Sequence, residues 1–221
     1  LRGAHAYFIF ENIMPNVPKI LFADSAFMRV AVQKDGKTLQ FATIGIKADR
    51  AIVLEAVKQN GRALEFAADN IKADRAVVLE AVRKYGGALL FASNNIKADF
   101  TVVLEAVKQD GEALQFATND IKDDRTIVLE AVKQNGRALE FAADNIKADR
   151  AVVLEAVRKY GGALLFASNN IKADFTVVLE AVKQDGEALQ FADRKIVLEA
   201  VRKDSRALRC AHKDFRADRE I

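Results

Sequence analysis

A sequence repeat with a period of 25 positions governs the chain from residue 24 to residue 217 and limits the folds that it can adopt. Residues 52–117 and 127–192 are identical over 66 positions, so three units were duplicated together. The unit at Asp174 is truncated and ends at Ala192, and a stub of residues 218–221 follows the last unit. A fixed period of this size is typical of solenoids. The units begin at Asp24, Asp49, Asp74, Asp99, Asp124, Asp149, Asp174 and Asp193.

Each unit predicts two short helices, as the unit from Asp49 illustrates. Its aspartate is placed as an N-cap, and apolar residues follow at helical spacing. Gly61, after Asn60, predicts a left-handed residue that ends the first helix. The second helix covers residues 63–67, with Leu64, Phe66 and Ala67 facing inward. One unit cannot bury its own apolar face, whereas stacked units can. The sequence therefore predicts an all-α solenoid of about eight two-helix repeats.

Residues 1–23 lie outside the repeat and form an N-terminal extension that contains both prolines, Pro15 and Pro18. The extension is strongly apolar, so it either covers the first unit or inserts into a partner, and both alternatives stay open. Because the chain begins at Leu1, we expect a processed or trimmed form. We also expect a bend near Ala192–Asp193, where the truncated unit lacks its linker. The apolar residues of the extension are Tyr7, Phe8, Ile9, Phe10, Ile13 and Met14.

A set of residues of the third unit recurs in most units: Asp74, Arg75, Val78, Leu79, Ala81, Val82, Gly86, Ala88, Leu89, Phe91, Ala92 and Ile96. In these residues the repeat resembles a family of short helical repeats that is catalogued as a domain of unknown function and is common in bacterial effectors and unicellular algae. The resemblance implies an α-solenoid and no activity, because the family has no agreed catalytic residues.

Catalytic, metal and cofactor sites are not predicted. The two histidines, His5 and His212, stand near opposite ends of the sequence, and Cys210 occupies a core position. The aspartates recur once in every repeat as caps, too far apart for a paired acid–base site. Repeated oxygen donors such as Asp69–Asn70 lack the ligand density of a calcium loop. We therefore expect no enzyme activity, no bound metal and no cofactor.

The composition of the chain argues for some classes of binding partner and against others. The 34 basic and 31 acidic side chains are interspersed, which is typical of a solvated surface and argues against a nucleic-acid partner. No apolar run is long enough to span a bilayer, although peripheral contact with a membrane complex stays open. A single cysteine fits a reducing compartment. The basic C-terminal end, with Arg206 and Arg209, would supply attachment to other subunits.

Aromatic residues interrupt the repeat at two positions. Phe100 and Phe175 replace the arginine that usually follows the capping aspartate, and Tyr85 and Tyr160 stand where Asn60 does. Aromatic side chains are common interface anchors. We predict that these four residues bind partners, the alternative being that they pack against a neighbouring unit.

The function predicted from the sequence is a non-catalytic scaffold or linker that binds other protein subunits in a larger assembly. Such regular arrays favour an algal source, and an organelle such as the chloroplast, with its photosynthetic supercomplexes, is one setting for them. The alternative is a soluble adaptor of effector type that binds peptides or a transient partner.

Overall fold

The computed structural model describes residues 17–192 and Ile196. The chain divides into two compact units, residues 1–109 and 110–221. No β-strand occurs among the described residues, and each complete repeat in that part contains three helical segments. The bend predicted at Asp193 lies outside the described residues, as do the predicted contact residues Tyr7, Phe8, Phe10, Ile13, Arg206 and Arg209.

In the described part of the first compact unit, a 3-10 helix, Lys19–Ala23, precedes the repeats. Each complete repeat among the described residues consists of a ten-residue α-helix, a six-residue 3-10 helix and a four-residue α-helix. The long helices are Ser25–Lys34, Arg50–Gln59, Arg75–Lys84 and Phe100–Gln109. The 3-10 helices are Gly36–Phe41, Gly61–Phe66 and Gly86–Phe91, and the four-residue helices are Ile44–Lys47, Asp69–Lys72 and Asn94–Lys97.

The second unit contains the same three kinds of segment. Its long helices are Arg125–Gln134, Arg150–Lys159 and Phe175–Gln184. Its 3-10 helices are Gly111–Phe116, Gly136–Phe141, Gly161–Phe166 and Gly186–Phe191, and its four-residue helices are Asn119–Lys122, Asp144–Lys147 and Asn169–Lys172. Consecutive long helices pack against each other within each unit. The predicted all-α solenoid is confirmed.

From Asp24 to Asp174, the aspartate that opens each described repeat is the N-cap of its long helix, as predicted. Oδ1 of Asp49 accepts hydrogen bonds from the backbone N–H groups of Ala51, at 2.9 Å, and Ile52, at 3.2 Å. These donors lack partners within the helix, so the carboxylate satisfies amides that would otherwise depend on water.

The core lies between consecutive repeats. In the second repeat Val53, Ala56, Val57 and Leu64 are fully buried, and Ala67 is 5% exposed. Phe66, which the sequence placed inward with Leu64, is only half-buried. Small alanines at positions where the long helices meet allow their backbones to approach closely.

The glycine that follows each long helix has a different role from the one predicted. No described residue has a positive φ, so the left-handed ending predicted at Gly61 is wrong. Asn60 ends the helix in an extended conformation, with φ −147° and ψ 109°, and its side chain accepts from the N–H of Arg62 at 3.1 Å. A Cβ on Gly61 would lie 2.4 Å from the carbonyl oxygen of Ala81. Glycine is needed because the next repeat comes so close.

The four-residue helix is a segment that the sequence did not indicate. It follows the 3-10 helix and is joined to the next repeat through the backbone. The N–H of Ser93 donates to the carbonyl of Lys72 at 3.0 Å, and the N–H of Ala68 donates to that of Lys47 at 2.9 Å. Because every residue except proline has both backbone hydrogen-bonding groups, this joint tolerates variation in the side chains around it.

Candidate protein-binding surfaces

A series of ion pairs runs along the N-terminal ends of the long helices. The arginine after each capping aspartate donates from Nε to Oδ2 of the next repeat's capping aspartate. The distances are 2.7 Å for Arg50–Asp74, 2.8 Å for Arg75–Asp99, 2.7 Å for Arg125–Asp149 and 2.8 Å for Arg150–Asp174. The arginine side chains are about half exposed, so each pair stabilises the stack modestly.

The arginine guanidinium governs the protonation of its partner. The hydrogen bond from Arg50 holds the pKa of the Asp74 carboxyl below its ordinary value, against the opposing effect of partial burial. The capping hydrogen bonds from backbone N–H groups lower the same pKa. The pKa values of Asp99, Asp149 and Asp174 are lowered in the same way by Arg75, Arg125 and Arg150.

Phenylalanine replaces the arginine of this series in two repeats, 75 residues apart. Phe100 is the first residue of its long helix and is 42% exposed, whereas Phe175, its copy in the second unit, is half-buried. Phe100 cannot donate to a carboxylate, so its repeat contributes an apolar ring to an edge that is otherwise charged.

Tyr85 lies at the opposite end of the long helices, where it ends Arg75–Lys84. The guanidinium carbon of Arg62, from the preceding repeat, lies 5.8 Å from the centroid of its ring. The ring also rests on Gly87, because a Cβ there would lie 2.6 Å from Cζ and Oη of the tyrosine. Despite these contacts Tyr85 is 39% exposed.

Leu90 extends this apolar surface. It is 46% exposed, at a position where Glu65 stands in the preceding repeat. Residues three apart in a 3-10 helix lie on the same side, so Leu90 follows Gly87 along the helix Gly86–Phe91. We call Tyr85, Gly87 and Leu90, with Arg62 beside them, the tyrosine patch.

The second unit carries a copy of the tyrosine patch. Tyr160 is 40% exposed, Leu165 is 46% exposed, and the Arg137 guanidinium lies 6.0 Å from the centroid of the tyrosine ring. A Cβ on Gly162 would lie 2.5 Å from Cζ of Tyr160. Each tyrosine therefore packs on a neighbouring repeat and still exposes a large area of its ring.

The two kinds of aromatic residue do not form a single docking face within the first unit. Arg75 and Asp99 pair at the N-terminal ends of their helices, so consecutive long helices run parallel. Phe100 begins one of these helices and Tyr85 ends its neighbour. A helix of ten residues is about 15 Å long. The phenylalanine and tyrosine positions therefore belong to two separate edges.

The repeat matches one family model along almost its whole length. The model of a domain of unknown function, DUF4116, matches six segments, most of which overlap: residues 24–72, 49–97, 74–122, 99–147, 149–195 and 193–221. The chain belongs to the DUF4116 family. The predicted membership of a helical-repeat family is thus confirmed. No curated protein and no solved structure shows a significant match to the chain.

In each compact unit of this DUF4116 array a depression lies between two consecutive repeats, and its lining includes both polar and apolar residues. Its volume is about 320 Å³ in the first unit and about 350 Å³ in the second. The hydroxyl oxygens of Ser93 and Ser168, one in each depression, are buried without a hydrogen-bond partner among the described residues. The lining residues are Asp69, Lys72, Phe91, Ala92, Ser93 and Asn94 in the first unit, and Asp144, Lys147, Phe166, Ala167, Ser168 and Asn169 in the second.

Two kinds of feature are absent from the part of the DUF4116 array that the structure describes, namely a metal-binding cluster and a membrane-spanning helix. No three histidine, cysteine or carboxylate side chains come together there in a way that could hold a metal ion. None of the helices in that part is long and apolar enough to cross a membrane.

Proposed function

We propose that this chain is a non-catalytic scaffold or linker that binds other protein subunits within a larger assembly. The observation that supports it is the tyrosine patch and its copy, in which exposed apolar residues replace polar ones at equivalent positions of the repeat. Tyr85 stands where Asn60 does, and Leu90 where Glu65 does. Both replacements expose apolar area at a position that other repeats keep polar, so packing within the solenoid does not require them.

The patch has the properties of an interface anchor. Tyrosine and arginine are enriched among the residues that contribute most to binding at protein interfaces. The Tyr85 ring is already held between Arg62 and Gly87, so it would lose little conformational freedom when a partner binds. A rigid, exposed aromatic ring beside an exposed leucine favours contact with an apolar side chain of another protein.

Two copies of the patch in one chain suit a scaffold better than a simple binding module. One chain can hold two identical subunits, or one partner through two sites. Binding through two linked sites raises the overall affinity without any new contact. We place the assembly in an algal organelle such as the chloroplast, on the grounds of the sequence alone.

An adaptor that binds peptides is the second candidate, and the paired depressions favour it. Ser93 lines one depression, and its buried hydroxyl has no hydrogen-bond partner among the described residues, which favours pairing with the backbone of an extended peptide that enters there. The depressions are small, with volumes of about 320 and 350 Å³, so the tyrosine patch remains the better-supported surface.

The test uses substitutions to residues that other repeats already have at the equivalent position. Leu90→Glu together with Leu165→Glu installs the residue that Glu65 and Glu140 hold at the same position, so the fold is preserved. The matched control, Glu65→Gln with Glu140→Gln, installs the residue of Gln115 and Gln190. Each tagged chain is expressed in cells of the native source and purified in mild detergent, and the molar ratio of co-purified proteins is measured.

We expect the wild type and the glutamine control to retain the same proteins at a constant molar ratio, and the glutamate variant to lose at least one of them. The proposal is overturned if no protein co-purifies at a constant ratio with the wild type. Loss of partners from a Ser93→Val, Ser168→Val variant, with full retention by the glutamate variant, would favour the adaptor.

A further inference from the structure

The copy of the tyrosine patch in the second unit lies between opposite charges. Equivalent positions of consecutive repeats are neighbours on its surface, because the long helices and the 3-10 helices of these repeats pack side by side. At one such position, three consecutive repeats hold Arg137, Gly162 and Glu187. The Tyr160 ring lies over Gly162, since a Cβ there would come within 2.5 Å of its Cζ. From repeat to repeat the surface therefore presents a cation, an aromatic ring and an anion.

The two charges of this row are unpaired within the part of the chain that the structure describes. The Arg137 guanidinium lies 6.0 Å from the centroid of the Tyr160 ring and has no carboxylate partner among the described residues. Glu187 is exposed, and its backbone N–H, rather than its carboxylate, bonds to Asp185, at 3.0 Å. Arg137 and Glu187 are two repeats apart, about 16–20 Å at the usual spacing of packed helices, so they cannot pair with each other.

A row with this order of charges is complementary to its own reverse. Two copies of the surface can meet face to face about a two-fold axis that lies in the interface, parallel to the long helices. The order of the repeats is then reversed in one copy, so Arg137 of each chain faces Glu187 of the other. Without this reversal each of these side chains would face a like charge, which disfavours binding.

The neighbouring row of side chains agrees with the same arrangement. Leu165 is preceded at its position by Glu140 and followed by Gln190, and all three are exposed. After reversal the Glu140 carboxylate faces the Gln190 amide, which can donate a hydrogen bond to it. Lys159, the last residue of its long helix, faces its own copy, but its flexible side chain can turn away. One like-charge contact is thus set against two ion pairs and two hydrogen bonds.

We propose that this patch binds a second copy of the chain, in a two-fold dimer that pairs Arg137 with Glu187 around an apolar centre. The centre consists of Tyr160, 40% exposed, and Leu165, 46% exposed, each against its own copy. The inference rests on the proposed function, because it names the occupant of the same surface. Self-association would be one way in which the chain builds an assembly.

The sequence contains the same charged residues 75 positions earlier. Residues 52–117 are identical to residues 127–192, so Arg62 and Glu112 correspond to Arg137 and Glu187. A test must therefore change both sets, so that neither set alone supports dimerisation. Each set also supplies the replacement residue for the other, since arginine and glutamate both occur naturally at this position of the repeat.

Sedimentation equilibrium of the full chain measures the dimer. It is run from about 1 to about 300 μM, because a small interface binds weakly, and in about 50 mM salt, where surface charges are weakly screened. The acidic variant carries Arg62→Glu and Arg137→Glu, and the basic variant carries Glu112→Arg and Glu187→Arg. We expect the wild type to dimerise, and each variant to have a dissociation constant at least about tenfold larger.

Mixing the two variants separates the proposed pairing from other kinds of association. Each acidic chain then faces a basic chain, so the equimolar mixture should form heterodimers at least about tenfold more tightly than either variant dimerises alone. The control, Asp69→Asn with Asp144→Asn, changes charge on the four-residue helices and installs the residue of Asn94 and Asn169. It should dimerise like the wild type.

A wild-type chain that stays monomeric over this range of concentration overturns the proposal. It is equally overturned if both charge variants dimerise as tightly as the wild type, or if the mixture associates no better than its components. Binding of different proteins from the native source is measured separately by co-purification, so failure of the dimer and failure of the scaffold are distinguishable.

Discussion

Oδ2 of Asp99 accepts a hydrogen bond from Nε of Arg75 at 2.8 Å, while Oδ1 of the same carboxylate accepts from the backbone N–H of Val102 at 3.0 Å. One side chain therefore begins its own helix and joins that helix to the preceding repeat. The same double role recurs wherever the preceding repeat has arginine directly after its own capping aspartate, as it does for Asp149 and Asp174.

The two roles can be separated by comparing aspartates that have one or both of them. Asp149 caps a helix and pairs with Arg125, whereas Asp124 caps a helix and has no ion-pair partner among the described residues. Asparagine is an equally good N-cap, so Asp149→Asn should remove mainly the ion pair. We expect Asp149→Asn to lower the urea midpoint more than Asp124→Asn does.

Alanine at either position removes the cap as well. Asp124→Ala and Asp149→Ala should each lower the free energy of unfolding by about 1 kcal/mol through loss of the cap, with a further loss at Asp149. Equal urea midpoints for Asp124→Asn and Asp149→Asn would show that the ion pair contributes nothing.

Acid should weaken the joints between repeats. The pKa values of Asp74, Asp99, Asp149 and Asp174 are lowered in the folded chain. A carboxyl whose pKa is lowered by folding contributes its full stabilisation at pH values above its pKa in the unfolded chain, which is about 3.9. This contribution is lost as the pH falls through the pKa of the same carboxyl in the folded chain. Urea unfolding should therefore show stability falling from about pH 5 to about pH 2.

A variant without the arginines is the control for this pH dependence. Glutamine at positions 50, 75, 125 and 150 should make the variant less stable than the wild type at pH 7, and the two curves should converge in acid. Curves that stay parallel from pH 7 to pH 2 would contradict the assignment of these pKa shifts to the arginines.

The close approach between repeats makes the glycine after each long helix sensitive to substitution. In Gly61→Ala the new Cβ would lie 2.4 Å from the Ala81 carbonyl oxygen, so the neighbouring repeat must shift, at a cost of about 1–3 kcal/mol. Gly45 lies in a four-residue helix with no atom within 4 Å of the corresponding point, so Gly45→Ala should be neutral or slightly stabilising. Thermal unfolding of both variants checks this, and equal effects would contradict the packing.

Leu89 and Leu90 are adjacent but differ in burial, so substituting each of them tests whether the tyrosine patch contributes to the stability of the fold. Leu89 is fully buried and Leu90 is 46% exposed. Leu89→Ala should lower the free energy of unfolding by about 2–5 kcal/mol, and Leu90→Ala by less than about 0.5 kcal/mol. Chemical denaturation measures both. A large loss for Leu90→Ala would mean that the tyrosine patch serves the fold and is not free for a partner.

Much of the fold follows from the repeat itself, because a position that recurs in every unit must have a similar environment each time. That reasoning placed Asp49 as a cap and Leu64 in the core. The same reasoning explained Gly61 wrongly, because glycine is favoured after a helix both where φ is positive and where another segment of the chain lies very close. The choice between them depends on the next repeat, which local sequence does not show. The helix Asp69–Lys72 is too short to carry a periodic signal.

The candidate surface was predictable only in part. Sequence departures pointed to Tyr85 and Tyr160, whereas Leu90 and Leu165 were not among the residues predicted to bind partners. A signal was present, because both repeats with tyrosine also have two consecutive glycines, where five other repeats have one and the last repeat has Ser205. The second of these, Gly87, leaves room for the ring. Tyr85 and Phe100 lie at opposite ends of the long helices because these helices pack parallel to each other, and the sequence alone did not show that packing.

The measurement that tests the scaffold most directly is the size of the wild-type chain in a mild-detergent extract of its native source. Density-gradient sedimentation with quantitative mass spectrometry of each fraction gives both the size and the stoichiometry. The scaffold predicts that the chain sediments in one large complex at a constant molar ratio to its other subunits. Sedimentation as a free species of 24.3 kDa, the mass of the chain alone, would contradict it.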